Sequence, residues 1–102
     1  MTNWVRISAR AEKSLRKVPR VIAAGFFTWR RDVETHGIEE TRKIPGYHDE
    51  PLKGKLKGRI RSVRLGNAYR AYYRIISDEV KYIWVEEVNR HDYKEIERLL
   101  GL

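Results

Sequence analysis

The side chains that could do chemistry lie in the second half of the chain. Glu50 precedes a lysine-rich stretch, arginines follow, and His91-Asp92-Tyr93 comes after them. Cleavage of RNA without a metal needs a base for the ribose 2′-OH, cations for the phosphorane and an acid for the leaving 5′ oxygen. These roles can be filled by the carboxylate of Glu50, the imidazole of His91, the phenol of Tyr93 and the basic side chains. The candidate cations are Lys53, Lys55, Lys57, Arg61 or Arg64, Arg70 and Arg74.

Each of these residues also has a purely structural explanation. Glu50 can be an ion-pair partner in a loop, Asp92 is a better helix cap than catalyst, and Tyr93 can be a packing residue. No phosphate-binding glycine loop occurs, and the three histidines lack the spacing of metal ligands. We therefore expect neither a metal nor a cofactor.

The net charge of the chain comes from one segment. The 102 residues include 22 Lys and Arg against 14 Asp and Glu, a net charge of +8. Between Pro51 and Ser77 there are eight basic residues and no acid, so the remainder is neutral. Such a patch is more typical of a protein that binds nucleic acid or an acidic partner protein. The alternative is a solvated basic surface that only aids solubility. The eight residues are Lys53, Lys55, Lys57, Arg59, Arg61, Arg64, Arg70 and Arg74.

Several classes of protein are excluded by composition. The chain has no cysteine, which removes a disulfide framework and a thiol nucleophile. It has no apolar run long enough to span a membrane and no secretory leader pattern at its start, so we expect the cytoplasm.

The first third of the sequence predicts a strand and two helices. Trp4 to Ser8 alternates apolar and polar residues, and Ser8 can cap a helix that ends at Val18-Pro19. A second helix follows, and we expect Gly37 to end it as a left-handed cap. Its apolar stripe is Ile22, Phe26, Trp29 and Val33.

The rest of the chain predicts an antiparallel meander and a last helix. Gly37 to Gly58 is rich in Gly and Pro and is predicted to be irregular. We expect strands at Arg59 to Leu65, Tyr69 to Ile76 and Val80 to Val88, with turns at Gly66-Asn67 and Ser77-Asp78-Glu79. In the middle strand alternation places Ala71 and Tyr73 toward the core, and Arg70, Tyr72, Arg74 and Ile76 on the opposite face.

A helix capped by Asp92 then closes the chain, with Ile96, Leu99 and Leu100 as its apolar edge. The element order β-α-α-β-β-β-α predicts one α+β domain over residues 1–102, with four strands packed on an N-terminal helical hairpin.

Five short motifs in this order resemble the RelE/ParE superfamily of toxins from type II toxin–antitoxin modules. They are E-P-L-K-G at 50–54, Lys57-Gly58, R-S-V-R-L at 61–65, Y-R-A-Y-Y at 69–73 and N-R-H-D-Y at 89–93. Within the superfamily the chain is most similar to the RelE, YoeB and HigB branch of ribosome-dependent mRNA interferases. The resemblance implies a small α+β fold with a curved, mostly antiparallel sheet.

The resemblance also implies roles for single residues. Glu50 matches the glutamate that acts as general base in YoeB-like members, and Arg70 matches the arginine that stabilises the cleaved phosphate. His91 and Tyr93 match the pair that serves acid chemistry and substrate orientation. YoeB-like chains end in adjacent His-Tyr, whereas Asp92 intervenes here. His91 is therefore an alternative general base, since an imidazole titrates near neutral pH.

The resemblance implies two further partners, an acidic antitoxin encoded by the adjacent gene and the decoding site of the ribosome with its mRNA. Tyr72 is a candidate for stacking on an RNA base. Two other functions stay open. One is a ParE-like toxin that poisons DNA gyrase, and the other is a degenerate member that only binds an antitoxin.

Overall fold

The structure is a computed structural model that describes residues 2–77 and 80–101, apart from the side chain of Tyr93. The turn expected at Ser77-Asp78-Glu79 therefore falls largely outside the described residues. The elements are β1 (Val5–Ile7), α1 (Ala9–Lys17), α2 (Arg20–His36), α3 (Ile38–Thr41), β2 (Glu50–Pro51), β3 (Arg61–Leu65), β4 (Tyr69–Ser77), β5 (Lys81–Asn89) and α4 (Tyr93–Leu99).

The predicted α+β class with a mostly antiparallel sheet is confirmed. The strands lie in the order β1-β5-β4-β3-β2, and β1 runs parallel to β5 while the other pairs are antiparallel. The sheet has five strands instead of the expected four. The additional strand is β2, in which Glu50 pairs with Ser62 and Pro51 with Arg61. A two-residue strand next to proline has too little sequence pattern to be predicted, and proline is tolerated there because β2 is an edge strand.

The helices begin and end close to the predicted positions. Ser8 Oγ accepts a hydrogen bond from the backbone N–H of Ala11 at 3.0 Å, so it caps α1 as expected. Gly37 has a φ of 82° but a ψ of 159°, so it is not the left-handed cap that we expected. Its extended ψ redirects the chain, and α3 begins at the next residue within a stretch predicted as irregular.

The main core lies between the helices and one face of the sheet. The stripe Ile22, Phe26, Trp29 and Val33 is buried, as the spacing predicted. Ala71 and Tyr73 of β4 belong to this core. No helix in the part of the chain that the structure describes is long and apolar enough to cross a membrane.

A second, smaller cluster covers part of the opposite face. Tyr72 packs there with Leu56, Ile60 and Ile96, and the last of these belongs to α4. The face expected to present arginines around a tyrosine is therefore covered at this end of the sheet. Tyr72 is 1% exposed and Arg70 is 5% exposed.

Candidate active site

A cleft of about 490 Å³ collects several of the residues singled out in the sequence. Its lining combines β2 and the turn after it, the first halves of β3 and β4, the loop before α4, and α4 itself. Six predicted site residues line it, namely Glu50, Lys53, Lys55, Arg70, Tyr72 and His91. The other lining residues are Pro51, Leu52, Gly54, Ser62, Lys94 and Glu97.

Arg70 is the most firmly held cation of the cleft. Its Nε donates to Ser62 Oγ at 2.9 Å, and its Nη2 donates to the His48 carbonyl at 2.8 Å and to Glu50 Oε1 at 3.3 Å. These bonds fix the plane of a guanidinium that is almost fully buried. A cation ordered in this way needs little reorganisation when negative charge develops beside it.

Glu50 is held in place through its neighbour Asp49. The Asp49 side chain is 1% exposed and accepts from Arg61 Nε at 2.7 Å and from the Tyr73 hydroxyl. Burial and the Asp49 carboxylate raise the pKa of Tyr73 well above its usual range, so this phenol stays a hydrogen-bond donor. The Glu50 side chain, by contrast, is 58% exposed. Sequence reasoning missed Asp49, because an acid beside a glycine-rich segment gives no sign that it is buried.

His91 lies on the loop between β5 and α4 in a strained conformation. Its φ of 55° is in the left-handed region that few side chains adopt. Asn89 holds the loop, since its Oδ1 accepts from the Asp92 N–H and its Nδ2 donates to the Asp92 carbonyl, both at 2.9 Å. Asp92 Oδ1 accepts from the Glu95 N–H at 3.2 Å, which confirms Asp92 as the cap of α4. Tyr93 begins α4, and its side chain lies outside the described structure.

Two residues of α4 were missed in the sequence. Lys94 and Glu97 line the cleft, and their spacing of three places them on one face of the helix. The spacing was available from the sequence, but the side of the sheet on which α4 packs was not. Of the three predicted lysines, Lys57 does not line the cleft.

The remaining predicted arginines lie elsewhere. Arg59, Arg61 and Arg74 line a second depression, and Arg64 lines a third. The basic residues of this segment are thus divided among several depressions. Alternation along the strands separates residues that are neighbours in sequence, which a count of charges cannot reveal.

Tyr72 is not placed to stack on an RNA base, which was the role expected for it. Its ring packs against Leu56, Ile60 and Ile96, so it has no open face for a base. Burial raises the pKa of Tyr72 to about 12, so its hydroxyl remains protonated near neutral pH. Tyr72 therefore forms part of the wall of the cleft.

Comparison with known proteins identifies the fold. No family model matches the sequence, and a search of curated proteins gave no match. Solved structures do match it, among them the toxin–antitoxin complex RelBE2 of Mycobacterium tuberculosis, with 25% identity over 89% of this chain and 100% of that chain, at a TM-score of 0.63.

Two further RelE structures agree with this match. The archaeal RelE–RelB complex of Pyrococcus horikoshii is 24% identical, with 88% of this chain and 96% of that chain covered, at a TM-score of 0.65. The Escherichia coli toxin RelE is 20% identical, with 96% and 93% covered, at a TM-score of 0.57. Together with the order of strands and helices, these similarities show that the chain has the fold of RelE toxins, and they support the resemblance of its motifs to the RelE/ParE toxin superfamily.

Proposed function

We propose that this chain is the toxin of a type II toxin–antitoxin pair and acts as a metal-independent endoribonuclease on mRNA at the ribosome. The observation that carries the proposal is one cleft lined by a carboxylate, a buried guanidinium, an imidazole and several ammonium groups. Glu50, Arg70 and His91 come from three separate elements, and a gyrase-binding surface would have no need of that combination.

The reaction begins with attack of the ribose 2′-OH on the adjacent phosphorus. The O2′–P bond forms, the P–O5′ bond breaks, and the products are a 2′,3′-cyclic phosphate and a 5′-OH. His91 takes the 2′-OH proton, and a lysine ammonium of the cleft protonates the leaving oxygen. Arg70 stabilises the charge on the phosphorane. Glu50 keeps Arg70 in position, and Tyr93 orients the substrate.

His91 is the better base for a local reason. One oxygen of Glu50 already accepts a hydrogen bond from Arg70, so this oxygen is engaged by the guanidinium. His91 is exposed on its loop, so its imidazole is accessible to a substrate hydroxyl.

The natural partner in this proposal is a small acidic antitoxin, in the cytoplasm where ribosomes act. The matched RelBE2 and RelE–RelB structures are complexes of toxin with antitoxin. A chain with a net charge of +8 offers a complementary surface, which would speed association with an acidic protein.

The direct test is to add the protein to a translating extract and map the 5′ ends of the mRNA. We expect new 5′ ends within coding sequence that are absent with Arg70→Ala and present with the control Arg31→Ala, which changes an exposed residue of α2. A gyrase supercoiling assay runs in parallel. Intact mRNA combined with inhibited supercoiling would replace the nuclease proposal with the gyrase alternative.

A further inference from the structure

Four arginines line a second depression of about 280 Å³, which shares Pro51 of β2 with the cleft. Three of them belong to the basic segment, and Arg42 comes from the chain just after α3. The complete lining is Arg42, Pro51, Gly58, Arg59, Ile60, Arg61, Arg74 and Ile75. Nothing in the sequence groups Arg42 with the others, since it lies outside the acid-free window.

The depression carries an excess of positive charge. Asp49 pairs with Arg61 at 2.7 Å, and Glu86 pairs with Arg74 at 2.8 Å. Among the described residues, four guanidinium groups thus face two carboxylates, which leaves an excess of two positive charges. Arg42 Nε donates to the neutral Tyr73 hydroxyl at 3.5 Å and not to a carboxylate. Planar guanidinium groups match the geometry of phosphate oxygens, and they bind such groups in a bidentate manner.

The depression and the cleft are neighbours. Pro51 of β2 lines both of them. The preceding residue, Glu50, lines the cleft, and Asp49 before it bonds to Arg61 of the depression. A polymer with a charge at every repeat that passes Pro51 can therefore reach both places.

We propose that the arginine depression binds a phosphodiester of the same RNA strand that is cut in the cleft. The inference rests on the proposed function for the identity of the polymer. Among the described residues, the lining holds no side chain that gains or loses a proton near neutral pH. The depression therefore contributes affinity and direction to the strand and takes no part in the chemical step.

Binding of a non-cleavable probe tests this directly. The probes are a 2′-O-methylated dinucleotide, which fills the cleft alone, and a hexanucleotide of the same chemistry, which reaches the depression. Arg59→Ala is the variant of choice, because Arg59 is exposed and holds no other residue of the site in place. Arg31→Ala, on the exposed side of α2, is the matched control.

We expect Arg59→Ala to weaken hexanucleotide binding by roughly 5- to 10-fold, the effect of one charge-assisted contact. The slope of log K against log salt should fall by about 0.7 in magnitude, because the variant neutralises one phosphate fewer on a single strand. Dinucleotide binding should not change. Arg59→Lys should recover part of the affinity, because it restores the charge without the planar geometry.

Unchanged hexanucleotide binding by Arg59→Ala would overturn the proposal, even if binding to ribosomes fell, because the phosphate would then belong to ribosomal RNA. An equal loss of affinity for the dinucleotide and the hexanucleotide would also overturn the proposal, since Arg59 would then act on binding in the cleft. The readout is independent of cleavage. If the protein binds the hexanucleotide as expected but does not cut mRNA, the proposed nuclease function is wrong while the proposed binding site still stands.

Discussion

Arg70 on β4 donates a hydrogen bond from Nη2 to Oε1 of Glu50 on β2, over 3.3 Å. The two residues are not neighbours in the sheet, because β3 lies between their strands. The arginine is buried and the glutamate is exposed, and their bond adds to the hydrogen bonds that Ser62 and His48 accept from the same guanidinium. A phosphate that enters the cleft competes with the glutamate for the same guanidinium.

Arg70→Ala should lower cleavage by about 100- to 1000-fold, by analogy with loss of one oxyanion-hole donor. It should also destabilise the fold by about 1–3 kcal/mol, because the Ser62 hydroxyl and the His48 carbonyl lose their donor. Single-turnover cleavage on programmed ribosomes and chemical denaturation measure the two effects separately. A folded Arg70→Ala protein that cuts at the wild-type rate would contradict the assignment of this cation.

His91→Ala should slow cleavage more than Glu50→Ala, and Tyr93→Phe should cost less than either. The order follows if the imidazole is the base, the carboxylate positions Arg70 and the phenol only orients substrate. Cleavage rates measured from about pH 5.5 to 8.5 should lose, in His91→Ala, the pH dependence that the imidazole imparts to the wild type. If both His91→Ala and Glu50→Ala are nearly as fast as wild type, the base is one of the cleft lysines.

Asp49→Asn should destabilise the protein by roughly 2–3 kcal/mol and reduce cleavage as well. The buried carboxylate pairs with Arg61, whose side chain is 29% exposed, so part of the cost of a broken buried pair is screened by solvent. Tyr73→Phe removes only one hydrogen bond to the same carboxylate and should cost about 1 kcal/mol. Denaturation of both variants tests this order, and equal stabilities would show that the ion pair contributes nothing.

Glu87 should make the fold more sensitive to pH than a glutamine at the same position. Burial raises the pKa of this carboxyl, although it accepts hydrogen bonds from Ser14 Oγ and the Val88 N–H. The native state then holds a proton that the unfolded chain has released, so stability falls as pH rises from the unfolded pKa through the raised folded value. Nearby charges, Glu95 and Arg10, act in opposite directions on this pKa.

The comparison of wild type with Glu87→Gln, which keeps the acceptor oxygen, isolates this effect. Wild-type stability relative to the variant should be greatest just below the unfolded pKa and lowest near neutral pH. Denaturation curves across this range provide the measurement. A constant difference between the two proteins would mean that the carboxyl titrates alike in both states.

The neighbouring acidic open reading frame should neutralise the protein when the two are co-expressed. The antitoxin is expected to cover or distort the face that carries Arg70 and His91, and the two chains should co-purify. Affinity measured at rising salt should fall, because charge complementarity contributes to association. Persistent toxicity without co-purification would contradict the assignment of this partner.

Local patterns in the sequence were sufficient to predict the helices and strands but not the arrangement of residues in the site. The stripe from Ile22 to Val33 and the cap at Asp92 depend on neighbouring residues, and both are where the spacing predicted them. The burial of Tyr72 and Arg70 depends on what covers the sheet, and alternation alone could not show that Ile96 of α4 packs on Tyr72 or that Arg70 is buried. Asp49 and Arg42 became relevant only through contacts with distant strands.

The pairing of β1 with β5 has a consequence for how the protein is made. Val5 pairs with Ile83, and the backbone N–H of Ser8 bonds to the Val85 carbonyl, so the first elements of the chain are completed by the last strand. Until residues 81–91 have been synthesised, the sheet lacks its β5 strand and the cleft lacks His91. Folding that depends on such distant contacts waits until these residues have emerged from the ribosome. The finished cleft is therefore among the last features of this domain to form.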